Sequence, residues 1–193
     1  MSRWARRLFQ VLLLAGLAGV LSCGAEETIR VDLLPPGDAR GAAATGMYRW
    51  VESVTSSNCP GTVTVGTAAV PLPHSPNEFR SCADVFHEEG YYAVDYFGFS
   101  TTAGINRPEY TADGGLWQEG QFRIGGIFAL GTGVTARALL DGQYLPPSGS
   151  MVVRSFEGVG LVQVFATEAG TERYVCEYHV DFTGDREPSC GAD

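Results

Sequence analysis

Short runs of aromatic and β-branched residues recur along the chain from Gly46 onward, and they constrain the fold more than any other feature. Glycine, proline, asparagine and aspartate separate these runs, and no long segment keeps the helical spacing of apolar side chains. The runs predict eight to ten strands in about 140 residues, with turn residues at regular intervals. This pattern is typical of an all-β barrel or sandwich.

The predicted strands are residues 47–56, 62–72, 78–87, 91–100, 115–130 (one strand or two), 134–142, 150–156, 160–167 and 171–182. The segments "FEGVGLV" and "TEAGTERY" are short and contain glycine, which predicts hairpin turns. Consecutive hairpins favour a single antiparallel up-and-down barrel of about 8–10 strands, because a closed barrel leaves no exposed strand edges. A β-sandwich is the alternative. The longest predicted loop, 101–114, is a candidate for binding because long loops on rigid scaffolds often carry function.

The last predicted strand has the clearest alternation of polar and apolar residues. Between Arg173 and Phe182 the odd positions are mostly polar, and the even positions are aromatic, aliphatic or cysteine. Side chains alternate between the two faces of a strand. We therefore expect the even positions to point into the barrel: Tyr174, Cys176, Tyr178, Val180 and Phe182.

The N-terminus has the layout of a signal peptide. The opening "MSRWARR" contains three arginines and no acid, and residues 8–21 form an apolar run. A helix needs about 20 apolar residues to cross a bilayer, so this run is short for a permanent anchor and suits a signal peptide.

The apolar run ends in Val20-Leu21-Ser22-Cys23, which resembles the lipobox of bacterial lipoproteins. The resemblance implies that the Cys23 thiol carries diacylglycerol, that the signal is cut before it, and that the new amine receives an acyl chain such as palmitate. Gly24, rather than Asp, implies the outer membrane by the enteric sorting rule. We therefore predict a signal peptide (1–22), a lipidated cysteine with a flexible tether (23–45) and a β-barrel domain (46–193). An ordinary signal peptide with an incidental cysteine is the alternative.

The charge of the chain argues against nucleic acid as a partner. All 13 basic residues are arginine, against 22 acids, for a net charge of −9. Removal of the signal peptide takes away Arg3, Arg6 and Arg7 and no acid, so 10 arginines remain against 22 acids and the net charge becomes −12. An acidic chain without a basic cluster does not fit a polyanion.

Five cysteines are present, and lipidation of Cys23 leaves four: Cys59, Cys82, Cys176 and Cys190. An exported protein meets an oxidising compartment, so we predict two disulfides. Three pairings are possible. We favour Cys59 with Cys82 and Cys176 with Cys190, because both pairs are local. We expect no metal site, because no two cysteines have the spacing of a zinc ligand pair and the histidines are dispersed.

No segment predicts a catalytic residue or a cofactor. His87-Glu88-Glu89 could supply an acid, a base or metal ligands, but Gly90 follows at once, which favours a polar turn. His74 lies in a proline-rich loop, and His179 lies on the polar face of the last strand. The aromatic residues Tyr91, Tyr92, Tyr96, Phe97 and Phe99 are clustered, and those that do not face the core form a candidate contact surface. A barrel whose interior these rings fill is the favoured alternative.

The two ends of the predicted domain resemble those of lipocalin-like barrels. "GMYRW" opens the first strand, and "YVCEYHVDFTGDRE" closes the last. In that family a Gly-x-Trp on the first strand packs against an arginine just after the last. The matching positions are Gly46, Tyr48 and Arg186, with tyrosine in place of tryptophan.

Taken together, these patterns predict a lipid-anchored, non-enzymatic binding or interaction module of the cell envelope. Its partners would be the membrane, through the N-terminal lipid, and a small apolar ligand or an envelope protein. A lipocalin-type carrier of a small apolar ligand, as the resemblance implies, and an enzyme with acid and base residues at the barrel mouth are the alternatives.

Replacement of Cys23 by alanine tests the lipobox directly. We expect Cys23→Ala to abolish lipid attachment, because the thiol that would carry the diacylglycerol is gone, and to leave the chain unprocessed or mis-sorted. Mass spectrometry of the N-terminal peptide measures this. A wild-type protein that dissolves without detergent and does not begin at Cys23 would contradict the prediction.

Overall fold

A computed structural model describes residues 28–32, 34–101, 110–145 and 153–190. For residues 97–101 it describes the backbone alone. Within these residues the chain forms ten strands and no helix. The strands are β1 (Gly46–Ser57), β2 (Thr62–Val65), β3 (Ala68–Pro71), β4 (Glu78–Glu88), β5 (Tyr91–Thr101), β6 (Tyr110–Leu116), β7 (Gln121–Gly131), β8 (Val134–Leu145), β9 (Ser155–Glu168) and β10 (Thr171–Arg186). The all-β prediction is confirmed.

Eight of the strands close into an antiparallel up-and-down barrel in the order β1-β10-β9-β8-β7-β6-β5-β4. The remaining two strands, β2 and β3, form a separate hairpin between β1 and β4. The sandwich alternative is excluded. Closure pairs the first strand with the last, with Tyr48 opposite Arg186. We call the end where β1 begins the entry end and the opposite end the far end.

Three phenylalanines of the interior lie over glycines of the neighbouring strand. The pairs are Phe122 with Gly142, Phe156 with Gly184, and Phe182 with Gly158. A Cβ atom on these glycines would lie 2.2, 1.9 and 2.3 Å from the paired ring, which is too close for any side chain. Each glycine therefore provides the space that its partner ring occupies.

The interior is filled by aromatic rings that contact one another. Trp50 is fully buried, and its ring centroid lies 4.6 Å from that of Phe156 and 4.8 Å from those of Tyr96 and Phe182. Ring pairs at these separations add about 0.5–1.5 kcal/mol each beyond the burial of their area. The centre of the barrel is therefore a packed core.

The predicted strands mostly coincide with the observed ones, and the differences involve glycine. The end of the predicted strand 150–156 and the predicted strand 160–167 belong to one strand, β9, because Gly158 and Gly160 make room for neighbouring side chains and do not form a turn. Residues 150–152 lie outside the described residues, and 153–154 precede the strand. Conversely, residues 62–72 split into the hairpin β2–β3 at Gly66, whose φ is +58°. Strand β6 begins at Tyr110, inside the predicted loop 101–114, most of which lies outside the described residues.

The alternation predicted for the last strand is confirmed from Cys176 to Phe182, where the even positions are buried and His179 and Asp181 are exposed. It fails at Tyr174. The register against β9 shifts between Tyr174 and Cys176, and at this bulge Val175 packs against the core instead. A bulge adds one residue to a strand, which reverses the faces on its far side.

The disulfide pairing favoured from sequence is wrong. The first bridge joins Cys59 to Cys176, 117 residues apart. Barrel closure places the end of β1 beside β10, where Asn58 donates its backbone N–H to the Glu177 oxygen at 3.1 Å. Cys59 therefore lies next to Cys176, while Cys82 is on the other side of β1.

The second bridge joins Cys82 on β4 to Cys190, 108 residues apart. After β10 the chain turns and crosses β1, where the Glu187 N–H bonds the Met47 oxygen at 2.9 Å. The tail therefore reaches β4. Each bridge closes a loop of more than 100 residues. By lowering the entropy of the unfolded chain, such a bridge stabilises the folded state by about 5 kcal/mol.

The segment before β1 packs on the barrel, which differs from the predicted flexible tether. We call residues 28–32 and 34–38 the strap. Its Ile29 N–H bonds Gln163 Oε1 on β9 at 2.9 Å, Val31 lies over Gly125 of β7, and the Gly37 N–H bonds the Gly90 oxygen at 2.9 Å. Backbone hydrogen bonds and buried apolar groups hold this segment in place, so the folded unit begins well before residue 46.

Gly115 on β6 is one of the glycines that make room for the strap. A Cβ at Gly115 would lie 2.4 Å from the Gly37 nitrogen and 2.6 Å from the Pro35 oxygen, whereas a Cβ at Gly61 would meet nothing within 4 Å. We expect Gly115→Ala to displace the strap and cost about 1–3 kcal/mol, as overpacking does. Gly61→Ala should change stability by less than about 0.5 kcal/mol. Urea unfolding measures the first effect, and faster tryptic cleavage after Arg30 reports the displaced strap. Equal behaviour of the two variants would contradict this account.

Candidate functional site

A cavity of 570 Å³ lies at the entry end of the barrel. Most of its described lining is apolar: Ala39, Ala43, Ala44, Leu116, Trp117, Gly120 and Val153. The polar members are Arg40, His87, Gln118 and Tyr144. The volume and the apolar lining with a few polar groups are typical of small-molecule sites.

Residues 39–45 form one wall of this cavity and are held by backbone contacts. The Ala39 N–H bonds the Leu116 oxygen at 3.0 Å. The Thr45 hydroxyl donates to the His87 oxygen at 3.2 Å and accepts the His87 backbone N–H at 3.0 Å. The Tyr48 hydroxyl donates to the Ala44 oxygen at 2.9 Å. The wall is therefore bonded directly to the strand that carries His87.

The side chain of His87 is the unusual group in this cavity. His87 is 2% exposed, and neither ring nitrogen makes a hydrogen bond to the described part of the chain. Burial lowers the pKa of His87, and the backbone of Ala39 and the carboxylate of Glu89 oppose part of the shift. A neutral imidazole has one donor and one acceptor nitrogen, and burying both without partners is costly. His87 thus contributes a buried imidazole beside the Ala39 backbone to the lining of the cavity.

The tyrosine hydroxyls beside the cavity already have partners. Tyr144 and Tyr92 share a hydrogen bond of 2.6 Å between their hydroxyls. Burial, as the main cause, raises the pKa of Tyr144 and that of Tyr92. Both phenols therefore stay protonated, and their hydrogen bond links Tyr144 in the cavity lining to Tyr92 in the core.

The structure separates the sequence-predicted His87-Glu88-Glu89 cluster. Glu88 and Glu89 are exposed around the turn, as predicted, but His87 lies on β4 and points inward. The alternation along β4 carries this signal, since Phe79, Ser81, Ala83, Val85 and His87 are buried at every second position. The strand pattern could therefore have identified His87 as an interior residue.

The other predicted residues lie apart from the cavity. His74 is exposed in the loop after β3, and the His179 side chain is 53% exposed on β10. Tyr92 and Tyr96 face the core, whereas Tyr91 is 43% exposed beside the exposed Phe86. The side chains of Phe97 and Phe99, and Cys23 itself, lie outside what the structure describes.

Sequence reasoning also missed the buried carboxylate of Glu52. Glu52 is 1% exposed on the inner face of β1, where its Oε1 accepts the Trp50 indole N–H at 3.1 Å. Alternation again gives the signal, because Tyr48, Trp50, Glu52 and Val54 are buried at every second position. The carboxylate is enclosed by the core and does not line the entry-end cavity.

The contact implied by the lipocalin resemblance is present. The guanidinium of Arg186 lies 5.9 Å from the centroid of the Tyr48 ring, and it donates hydrogen bonds to the Thr45 oxygen at 2.5 Å and the Val153 oxygen at 3.3 Å. A Cβ at Gly46 would lie 2.7 Å from this guanidinium, so the glycine makes room for it. Arg186 thereby ties the cavity wall to the last strand.

Comparison with known proteins assigns no family. No family model matches the chain, and no curated protein is significantly similar to it. Among the described residues, no three His, Cys, Asp or Glu side chains are grouped to hold a metal ion. In the same part of the chain, no helix is long and apolar enough to span a membrane.

The lowered pKa of His87 predicts a pH-dependent stability. The unfolded chain takes up a proton near pH 6.5, while the folded state resists it, so stability falls as the pH drops below that value. As the pH is lowered from about 7.5 to 5.5, we expect the free energy of unfolding of His87→Phe to decrease less than that of wild type. His179→Phe, which changes an exposed ring, should follow wild type. Urea unfolding across this range measures the difference, and parallel curves for all three proteins would contradict the prediction.

Proposed function

We propose that the protein is a lipid-anchored, non-enzymatic binding module of the bacterial outer envelope. The signal peptide and the lipobox at Cys23 support the anchor and the outer-membrane location. The two disulfides are consistent with export, because they form in oxidising compartments. The net charge of the mature chain supports a partner other than nucleic acid.

The observation that carries the binding role is the buried His87 facing the entry-end cavity without a hydrogen-bond partner among the described residues. The barrel centre is filled by rings such as Trp50 and Phe156, which argues against a lumenal, lipocalin-type ligand. We therefore place the ligand at the barrel end. It would be a small, largely apolar molecule with at least one hydrogen-bonding group, because the lining is apolar apart from a few polar groups.

The chemistry of the lining supports binding over catalysis. The described lining contains no carboxylate, serine, threonine or cysteine side chain. Within this described lining His87 therefore has no nucleophile to activate and no carboxylate to orient it, both of which histidine-based catalysis commonly uses. An enzyme with acid and base residues at the barrel mouth is the competing function. Turnover of a substrate that His87→Phe abolishes would favour it.

Phenol and toluene test the role of His87, because they have similar shape and differ in one hydroxyl. We expect both to bind the cavity in wild type, with shifts of the His87 ring protons in NMR titrations. The preference for phenol relative to toluene should fall about 2–10-fold in His87→Phe, which is the worth of one net hydrogen bond. His179→Phe should keep the wild-type preference. Absence of saturable binding of either probe would refute the proposed site.

A further inference from the structure

The strap fixes where the N-terminal lipid leaves the barrel. Ile29 is bonded to Gln163, near the middle of β9, and Val31 lies over Gly125 of β7. From there the chain runs over the outer surface to Gly37 at the β4–β5 turn. The residues before Ile29 therefore start from the outer wall formed by β7, β8 and β9, and not from an end of the barrel.

The distance from this wall to the lipid is short. Cys23 precedes Ile29 by six residues, and an extended chain of that length spans about 20 Å. Eight tilted strands spaced about 4.8 Å apart have a half-perimeter of about 25 Å at the backbone, and more outside the side chains. A lipid on Cys23 thus cannot reach a bilayer that faces the opposite wall, which is centred on β4 and flanked by β1 and β5.

We infer that the β7–β9 wall faces the bilayer that holds the lipid, so that the barrel lies on its side against the membrane surface. This inference rests on the proposed lipidation of Cys23. The wall carries the two most exposed large aliphatic side chains of the described residues, Ile127 (56% exposed) and Val159 (59%). Leu139 of β8 and Leu161 of β9 lie opposite each other and are partly buried. Apolar side chains at a lipid headgroup surface bury area there.

The distribution of charge favours the same orientation. On the opposite wall, Asp84 of β4 is directly across from Asp95 of β5, and Asp113 lies on β6, between the two walls. None of these three carboxylates pairs with an arginine that the structure describes. On the β7–β9 wall, Arg123 pairs with Asp141 at 2.6 Å, and Arg137 pairs at 2.6 Å with Glu172 of the adjoining strand β10. The two arginines balance Asp141 and the exposed Glu157 on the outer face of this wall. Anionic lipids repel an acidic wall and tolerate a neutral one.

Nitroxide labels on the lipidated full-length protein test the orientation. The test variants are Ile127→Cys and Val159→Cys. The matched controls are Phe86→Cys and Tyr91→Cys, which replace exposed apolar residues on β4 and β5. Each protein is bound to vesicles of phosphatidylethanolamine and phosphatidylglycerol and compared with the same protein lacking residues 1–23. Accessibility to a water-soluble nickel chelate is measured by electron paramagnetic resonance.

We expect vesicle binding to reduce nickel accessibility about twofold or more at positions 127 and 159, because the headgroup region excludes the reagent, and to leave positions 86 and 91 unchanged. Equal accessibility at all four positions, or protection at 86 and 91, would overturn the orientation. Mass spectrometry of each sample separates the two proposals. A chain without lipid on Cys23 refutes the anchor and the orientation together, whereas a lipidated chain without protection refutes the orientation alone.

Discussion

The packing of phenylalanine over glycine is the interaction on which the barrel depends. Phe122, Phe156 and Phe182 each occupy the space of a missing side chain on the neighbouring strand. Glycine inside a strand costs roughly 0.5–1 kcal/mol relative to alanine, while burying a phenylalanine contributes about 1.5–3 kcal/mol. Each pair is therefore net favourable. Any side chain at Gly142 or Gly184 would push a ring out of the core.

This filling of the interior moves any binding function to the ends and walls of the barrel. The hairpin β2–β3 covers the far end, with Val63 and Val70 buried against the core, while residues 39–45 form part of the entry end and leave the cavity beside His87. Glycine has the same role on the outer surface. Because Gly115 and Gly125 have no side chain, the strap can lie directly on the strands. Glycine thus shapes both faces of the sheet.

The alternation of polar and apolar residues made the barrel predictable. The buried His87, the disulfide pairing and the strap were not predicted. The inward face of β10 followed from its polar and apolar positions, and the same rule applied to β4 would have placed His87 inside. Glycine misled the strand prediction in both directions. Gly158 and Gly160 resemble a turn in sequence yet lie within β9, whereas Gly66 lies inside a predicted strand yet forms the turn of the β2–β3 hairpin. The disulfides and the strap could not be predicted, since they depend on which distant strands become neighbours. Tyr48 and Arg186 meet for that reason, 138 positions apart in the chain.

The two disulfides set an order on maturation. Cys59 and Cys82 are both synthesised early, yet their partners are Cys176 on the last strand and Cys190 beyond it. Until Cys176 is synthesised, these two thiols are the nearest pair along the chain, so the first bridge available to an oxidant is the non-native one. The native pairs can form only after β10 has docked on β1. Correct oxidation therefore requires either folding that outpaces thiol oxidation or the action of a disulfide isomerase.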